Sequence, residues 1–267
     1  MNAFVPEMAE FIQNRTGSKS TIAVILGSGL GDFSRQLTET VTIPYESIPH
    51  YPRSTVEGHS GELAVGKING IPIIAARGRF HYYEGYDIST VTTPIRLLSK
   101  LGVKYLLITN AAGSVSEDLP PGALMLLTGH MDCTFRHLPD RPRKFFGDPY
   151  HDQTLLRIAR ASAKEMNLVL QEGMYCWTLG PAYETPAEVD FIRDMGGTAV
   201  GMSTVPEIHA AVEFGMKVLG ISTITNYAAG ITDKPLTHDE VIETADLVKH
   251  QFTELLVRII KSIGAGL

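Results

Sequence analysis

Short apolar runs alternate with helix-period segments along the whole chain, with no low-complexity stretch and no internal repeat. Residues 21–26 (TIAVIL) read as a buried strand that runs into the glycine-rich turn Gly27-Ser28-Gly29-Leu30-Gly31. Residues 62–68 and 71–76 flank Asn69-Gly70, the strongest short hairpin signal, so an antiparallel pair joins the sheet. A helical period over 89–101 leads to a strand at 104–109 (KYLLIT) ending in Asn110-Ala111-Ala112-Gly113, and 123–127 reads as another strand. Further on, helices over 153–166, 186–195 and 205–214 alternate with strands near 173–178, 198–200 and 218–225. An amphipathic helix follows over 238–261. This alternation predicts the α/β class: a mixed central sheet flanked by helices, with a smaller antiparallel element. No Pro/Gly/Ser linker divides the chain, so residues 1–267 read as one domain.

Between 134 and 152 the pattern breaks. The composition shifts to Pro, Arg and His with Phe145 and Phe146 adjacent, which predicts a long irregular loop of the kind that carries function. Elsewhere charge, Gly or Pro interrupts every apolar run well short of the roughly 18 residues that span a bilayer, so no membrane role is expected. The first ten residues carry Glu7 and Glu10 without a basic region, unlike a signal peptide. With 23 basic against 29 acidic side chains, the net charge of −6 argues against a nucleic-acid surface, which needs a Lys/Arg stripe. Cys133 and Cys176 have no metal-ligand spacing and read as two buried thiols. The cytoplasm is the expected compartment.

Several polar segments sit where α/β proteins place ligands, at strand ends that open helices. The turn at 27–31 invites a dinucleotide reading, but the third glycine falls one residue early, Asp32 takes its place, and no acidic residue is well placed for a ribose. A lone phosphate on backbone N–H groups and the Ser28 hydroxyl suits it better, and a plain tight turn remains open. Residues 77–85 (RGRFHYYEG) gather cations, imidazole, phenols and a carboxylate; strand alternation would put Arg79, His81 and Tyr83 on one face, able to grip an oxyanion and pack on a sugar. His59 is a candidate fourth member. Residues 180–186 (GPAYETP) and 201–207 (GMSTVPE) each follow a strand and open a helix; Thr185, Pro186 and Glu188 make a capping box, which leaves Tyr183 and Glu184 unexplained. Thr225-Asn226-Tyr227 ends a strand with a polar amide.

Together GSGLG at 27–31, GRFHYYEGY at 78–86, TNAAGS at 109–114, GPAYET at 180–185, GMSTVPE at 201–207 and ITN at 224–226 resemble, in order over nearly the whole chain, the trimeric purine nucleoside phosphorylase family. The resemblance implies phosphorolysis: phosphate attacks C1′ of a purine nucleoside to give free purine and ribose 1-phosphate. It implies no metal and no organic cofactor, phosphate being a co-substrate, and a homotrimer. Phosphate would lie on Ser28, Arg79, His81, Ser203 and the backbone N–H of Ala111, with His59 at its entrance. Ribose would lie on Tyr83 and Met202 with His238 at its 5′-hydroxyl. Tyr183, Glu184, Val200 and Asn226 would receive the purine, and Asn226, Glu184 and His81 would stand at the chemistry. Tyr183 stands where the family usually has Phe, which keeps the stacking face. The 134–152 segment is shorter than the family's loop, whose aromatic side chain reaches the neighbouring subunit's ribose; Phe145 and Phe146 are the candidates.

A related enzyme, methylthioadenosine phosphorylase, carries Asp for Asn226, Thr for Ser203 and a small apolar residue for His238; all three positions here side with the purine nucleoside enzyme. Two readings from other classes are an NAD-dependent oxidoreductase and a non-catalytic nucleoside-binding protein, because fold does not fix function. A hydrolytic nucleosidase would leave the phosphate cradle without a purpose.

Overall fold

A computed structural model describes residues 2–27, 30–53, 60–136, 141–233 and 238–266, with backbone alone for Asn2, Asp32 and 238–242. Helix α1 (Val5–Thr16) buries Val5, Met8, Ala9 and Ile12, a helix-period stripe, and ends at left-handed Gly17. Strand β1 (Ile22–Leu26) is buried throughout, as its run of apolar residues requires. Then come β2 (Thr38–Pro44), β3 (Glu62–Ile68), β4 (Ile71–Arg77), the short helices α2 (Ile88–Val91) and α3 (Thr93–Lys100), and β5 (Tyr105–Ser114). The second half holds β6 (Leu124–Asp132), β7 (Arg143–Phe146), α4 (Gln153–Glu165), β8 (Leu170–Trp177), α5 (Pro186–Asp194), β9 (Ala199–Gly201), α6 (Val205–Glu213), β10 (Lys217–Tyr227) and α7 (His238–Ala265).

The ten strands of the described residues join one mixed sheet in the order β10-β6-β8-β9-β5-β1-β4-β3-β2, with β7 on β6. Because β10 also pairs with β5, five strands close into a ring, while β1, β4, β3 and β2 extend from it as an arm. The expected antiparallel element is the outer part of that arm. Its hairpin turns at Asn69 and Gly70, both at positive φ (48° and 82°), as a two-residue turn between twisted strands demands. One apolar cluster packs α1, α3 and α6 on one face of the sheet, and a second packs α4 and α7 on the other.

Four local expectations change. The helix expected over 89–101 divides at Thr92, because Pro94 has no N–H to give the carbonyl of Thr90. The 134–152 segment is not wholly irregular: 143–146 is strand β7, antiparallel to β6. Residues 78–86 do not continue β4 as a strand but pass into a single 3-10 turn at Tyr82–Glu84. Helix α1 and the exposed edge strand β2, of which only Ile43 is buried, add to the elements expected. Among the described residues no helix is long and apolar enough to cross a membrane.

Strand β7, the start of α4 and helix α6 meet at three histidines. His130 on β6 places Nδ1 3.0 Å from Nε2 of His151 and Nε2 2.9 Å from Nε2 of His209. Phe145 stacks on His130 at 4.8 Å and meets His209 edge-on at 4.6 Å. Burial, helped by the neighbouring imidazoles, pushes His130 down to about 2, and burial pushes His151 down to about 4. Both rings are therefore neutral in the fold and would protonate near their ordinary value once unfolded. Stability is full above that value and falls as pH drops below it, by about 1.4 kcal/mol per pH unit for each ring. Urea unfolding midpoints measured from pH 7.5 to 5 should therefore fall steeply, and His151→Gln should flatten the slope; a midpoint independent of pH over that range would contradict the two neutral rings.

Candidate active site

Strand β4 ends at Arg77, the chain turns at Gly78, whose φ is 130°, and it is extended again at His81. Tyr45 donates its hydroxyl to the Gly78 carbonyl at 2.9 Å, and Phe80 is buried among Tyr45, Tyr51 and Tyr86. On either side of Phe80, Arg79 and His81 make polar contacts instead. Arg79, 2% exposed, donates from Nη1 to Ser203 Oγ at 3.2 Å and has its Nε 3.4 Å from Oε2 of Glu207, which is 1% exposed. A guanidinium removed from water to this degree needs a carboxylate partner, and α6 supplies it from its first turn. His81 is fixed by Glu84, whose Oε1 accepts from the His81 backbone N–H at 2.7 Å and lies 3.2 Å from its Nδ1. The 3-10 turn, rather than strand alternation, stacks Tyr83 on His81 at 4.7 Å.

Ser203 reaches Arg79 through an uncommon backbone. Thr204 has φ 73° and ψ −49°, and Val205 N–H bonds to the Ser203 carbonyl at 2.8 Å, which together make a γ-turn of the strained kind. A β-branched residue at positive φ is a steric outlier and persists only where its surroundings hold it. Asn110 Nδ2 donates to Thr204 Oγ1 at 3.0 Å, and the Ser203 N–H donates to the Tyr175 hydroxyl at 3.2 Å. Burial pushes the Tyr175 phenol up to about 12, so it stays neutral.

The strand ends align the other candidates. Asn226 on β10 is in register with Gly113 on β5, and Gly113 with Val200 on β9. A bulge in β10 between Ile224 and Asn226 sets that register. A Cβ on Gly113 would lie 3.0 Å from Asn226 Nδ2, so glycine gives the amide its room. Thr225 Oγ1 donates to Asn226 Oδ1 at 2.8 Å and Asn226 Nδ2 donates to the Tyr227 carbonyl at 2.9 Å, which fixes which end of the amide is which. Just beyond β8, Thr178 Oγ1 donates to Glu184 Oε1 at 2.5 Å, and both line one cleft with Tyr183, Phe135 and Phe191. Gly180, at φ 68°, has no room for a side chain, because Met202 and Tyr83 both lie against it. Burial pushes the Tyr83 phenol up to about 12.

On the β1 side of β5, pairing with β1 ends at Ile108 and pairing with β9 begins at Gly113. Among the described residues no strand lies against that edge over 109–112, Ala111 included, the divergence at which sheets of this kind take ligands. The structure thereby brings together Arg79 with Ser203 and His81 with Tyr83, sets Tyr83 and Met202 both against Gly180, and places Asn226 and Val200 in register on either side of Gly113. Val200 is buried with Cys133 and Cys176. Ser28 and His59 lie outside the described residues; His238 opens α7, and its side chain lies outside them too. After β1 comes a 3-10 helix at Gly31–Gln36, not the α-helix whose N-terminus a dinucleotide pyrophosphate needs. Sequence reasoning did not single out Glu207, Thr204, Tyr175 or Thr178. Glu207 alone left a signal, an acidic residue in a helix's first turn just after an otherwise apolar VP pair.

Residues 21–261 match the family model described as the phosphorylase superfamily. The chain is 44% identical over 267 residues to purine nucleoside phosphorylase 1 of Geobacillus stearothermophilus, covering 97% of each. Its fold superposes with a TM-score of 0.87 on Schistosoma mansoni purine nucleoside phosphorylase in complex with inosine and, equally, in complex with adenosine. In both cases identity is 34%, with 96% of this chain and 95% of the other covered.

Removing the carboxylate beside Arg79 takes away its ion-pair partner on α6 and leaves the cavity of a buried side chain. Glu207→Ala should lower the unfolding free energy by about 3–5 kcal/mol, read from the denaturant midpoint. A loss under about 1 kcal/mol would mean that Arg79 does not depend on this partner.

Proposed function

Because the chain belongs to the phosphorylase superfamily and, within it, to the purine nucleoside phosphorylases, we propose that the phosphorolysis it catalyses is directed at 6-oxopurine nucleosides, inosine and guanosine and their 2′-deoxy forms. The observation that carries this reading is the Asn226 amide. With Oδ1 turned to the Thr225 hydroxyl and one Nδ2 hydrogen given to the Tyr227 carbonyl, its orientation is set, and each end keeps capacity for a ligand. A 6-oxopurine complements it: Nδ2 donates to O6 and Oδ1 accepts from a protonated N7. Glu184 accepts from N1–H. Adenine reverses the sign at both places, leaving polar groups unpaired at about 1–3 kcal/mol each.

Phosphate is the nucleophile. Arg79 and Ser203, already joined, hold it with His81, the Ala111 N–H and, on the family pattern, Ser28 and His59. As its oxygen attacks C1′ the bond to N9 breaks and the electron pair leaves with the base. Positive charge grows on the sugar above the phosphate, and negative charge on the purine. The contact of Asn226 with the base strengthens as N7 takes up its proton, so the side chain binds the transition state better than the substrate. Tyr83 and Met202 form the ribose wall, with His238 at the 5′-hydroxyl, while Tyr183 and Val200 flank the base.

The assembly we propose is a homotrimer in which β7 serves a neighbouring site. Of the two candidate aromatics, Phe145 is turned inward onto the histidines, whereas Phe146 lies over Gly129 and is 59% exposed. Phe146 is therefore the side chain available to a second subunit's ribose.

Turnover of inosine, guanosine, adenosine and methylthioadenosine with and without phosphate tests the base reading. Inosine and guanosine should exceed adenosine by about two orders of magnitude in kcat/KM, no substrate should turn over without phosphate, and Asn226→Asp should lose inosine activity and gain some on adenosine. Equal use of adenosine and inosine would remove Asn226 as the reader of the base. Sedimentation should give a species near three times 29.2 kDa, and Phe146→Ala should raise the nucleoside KM while phosphate KM stays put; a fully active monomer would overturn the shared site.

A further inference from the structure

Glu184 sits on an exposed loop between β8 and α5, which by itself would leave a long carboxylate free to sample several rotamers. Its neighbour Thr178 is of a different kind. It directly follows β8, and its backbone N–H bonds to the Gly201 carbonyl at 2.9 Å, so its Cα is fixed to β9. Being β-branched, Thr178 has few rotamers to choose from. From that rigid base its hydroxyl donates to Glu184 Oε1 at 2.5 Å, the length of a hydrogen bond to an ionised carboxylate. The other neighbour of the hydroxyl, the Gly201 carbonyl at 3.4 Å, is too distant to compete for its single hydrogen.

We infer that Thr178 is a positioning residue for base recognition: it holds one oxygen of the Glu184 carboxylate so that the other is presented to the N1–H edge of the purine. The inference rests on the reading of Glu184 as the acceptor of N1–H. Thr178 touches no reacting atom. It removes rotamer freedom from Glu184 before the substrate arrives, and it contributes a donor that keeps the bound carboxylate oxygen satisfied when water leaves the pocket. The exposed loop thereby gains a fixed recognition point tied to the end of β8.

The test is a set of four variants assayed with inosine and guanosine. Thr178→Val keeps shape and volume but loses the donor, so it should raise the nucleoside KM about tenfold while leaving phosphate KM unchanged; Thr178→Ser restores the hydroxyl and should recover most of the loss. Glu184→Gln should impair nucleoside use on its own, and adding Thr178→Val to it should cost little more, since the group to be positioned is already gone. A general packing role would instead add its full penalty in that background and would not be rescued by serine. If Glu184→Gln is impaired and Thr178→Val behaves as the unmodified enzyme, the positioning role is overturned while the base reading stands. If Glu184→Gln itself keeps normal nucleoside kinetics, the base reading fails and the role of Thr178 falls with it.

Discussion

The buried ion pair between Arg79 and Glu207 is the constraint on which the rest of the site depends. A guanidinium that is almost wholly out of water is tolerable only beside a carboxylate, and that carboxylate has to come from a distant segment of the chain. The pairing therefore fixes the end of β4 against the first turn of α6. It also dictates the turn between β9 and α6, since Ser203 must lie against the other side of the same guanidinium. The positive φ at Thr204 is the geometric result, and Asn110 and Tyr175 are the neighbours that hold it. A strained turn, a buried charge and the gap between β1 and β9 along β5 at 109–112 thus occur together around β5, β8 and α6.

The candidate site holds two kinds of group. Arg79, Ser203 and Asn226 are set by strands and by a helix start, with their hydrogen-bond partners already in place. Tyr183 and Glu184 stand on a loop, and the contact from Thr178 ties that loop to the sheet. On the function proposed above, the anion and the polar face of the base would meet preorganised groups, while the stacking wall would be free to adjust to what enters.

Much of this was legible in the chain. The buried strand at 22–26 and the Asn69-Gly70 hairpin follow from local rules, because apolar run length and positive-φ residues act within a few positions. The capping box at Thr185 and Glu188 is equally local, and both halves of it form. What local rules do not reach is the pairing between distant segments. That Arg79 would be buried rather than solvated, that β10 would pair with β5 as well as β6, and that His81 and Tyr83 would be stacked by a turn rather than aligned by a strand all depend on contacts across the sheet. The division of 89–101 is a different case: Pro94 announced it, and the apolar period concealed it.

The line of imidazoles beside β7 has a direction. A neutral His130 carries one ring hydrogen, so of its two imidazole neighbours it donates to one and accepts from the other. Either His209 gives its Nε2 hydrogen to His130 and His151 receives at Nε2, or the order is reversed, and no ring can change its tautomer without the other two. The three rings therefore act as one brace between β6, the start of α4 and α6, with a single choice of sense shared by the whole line.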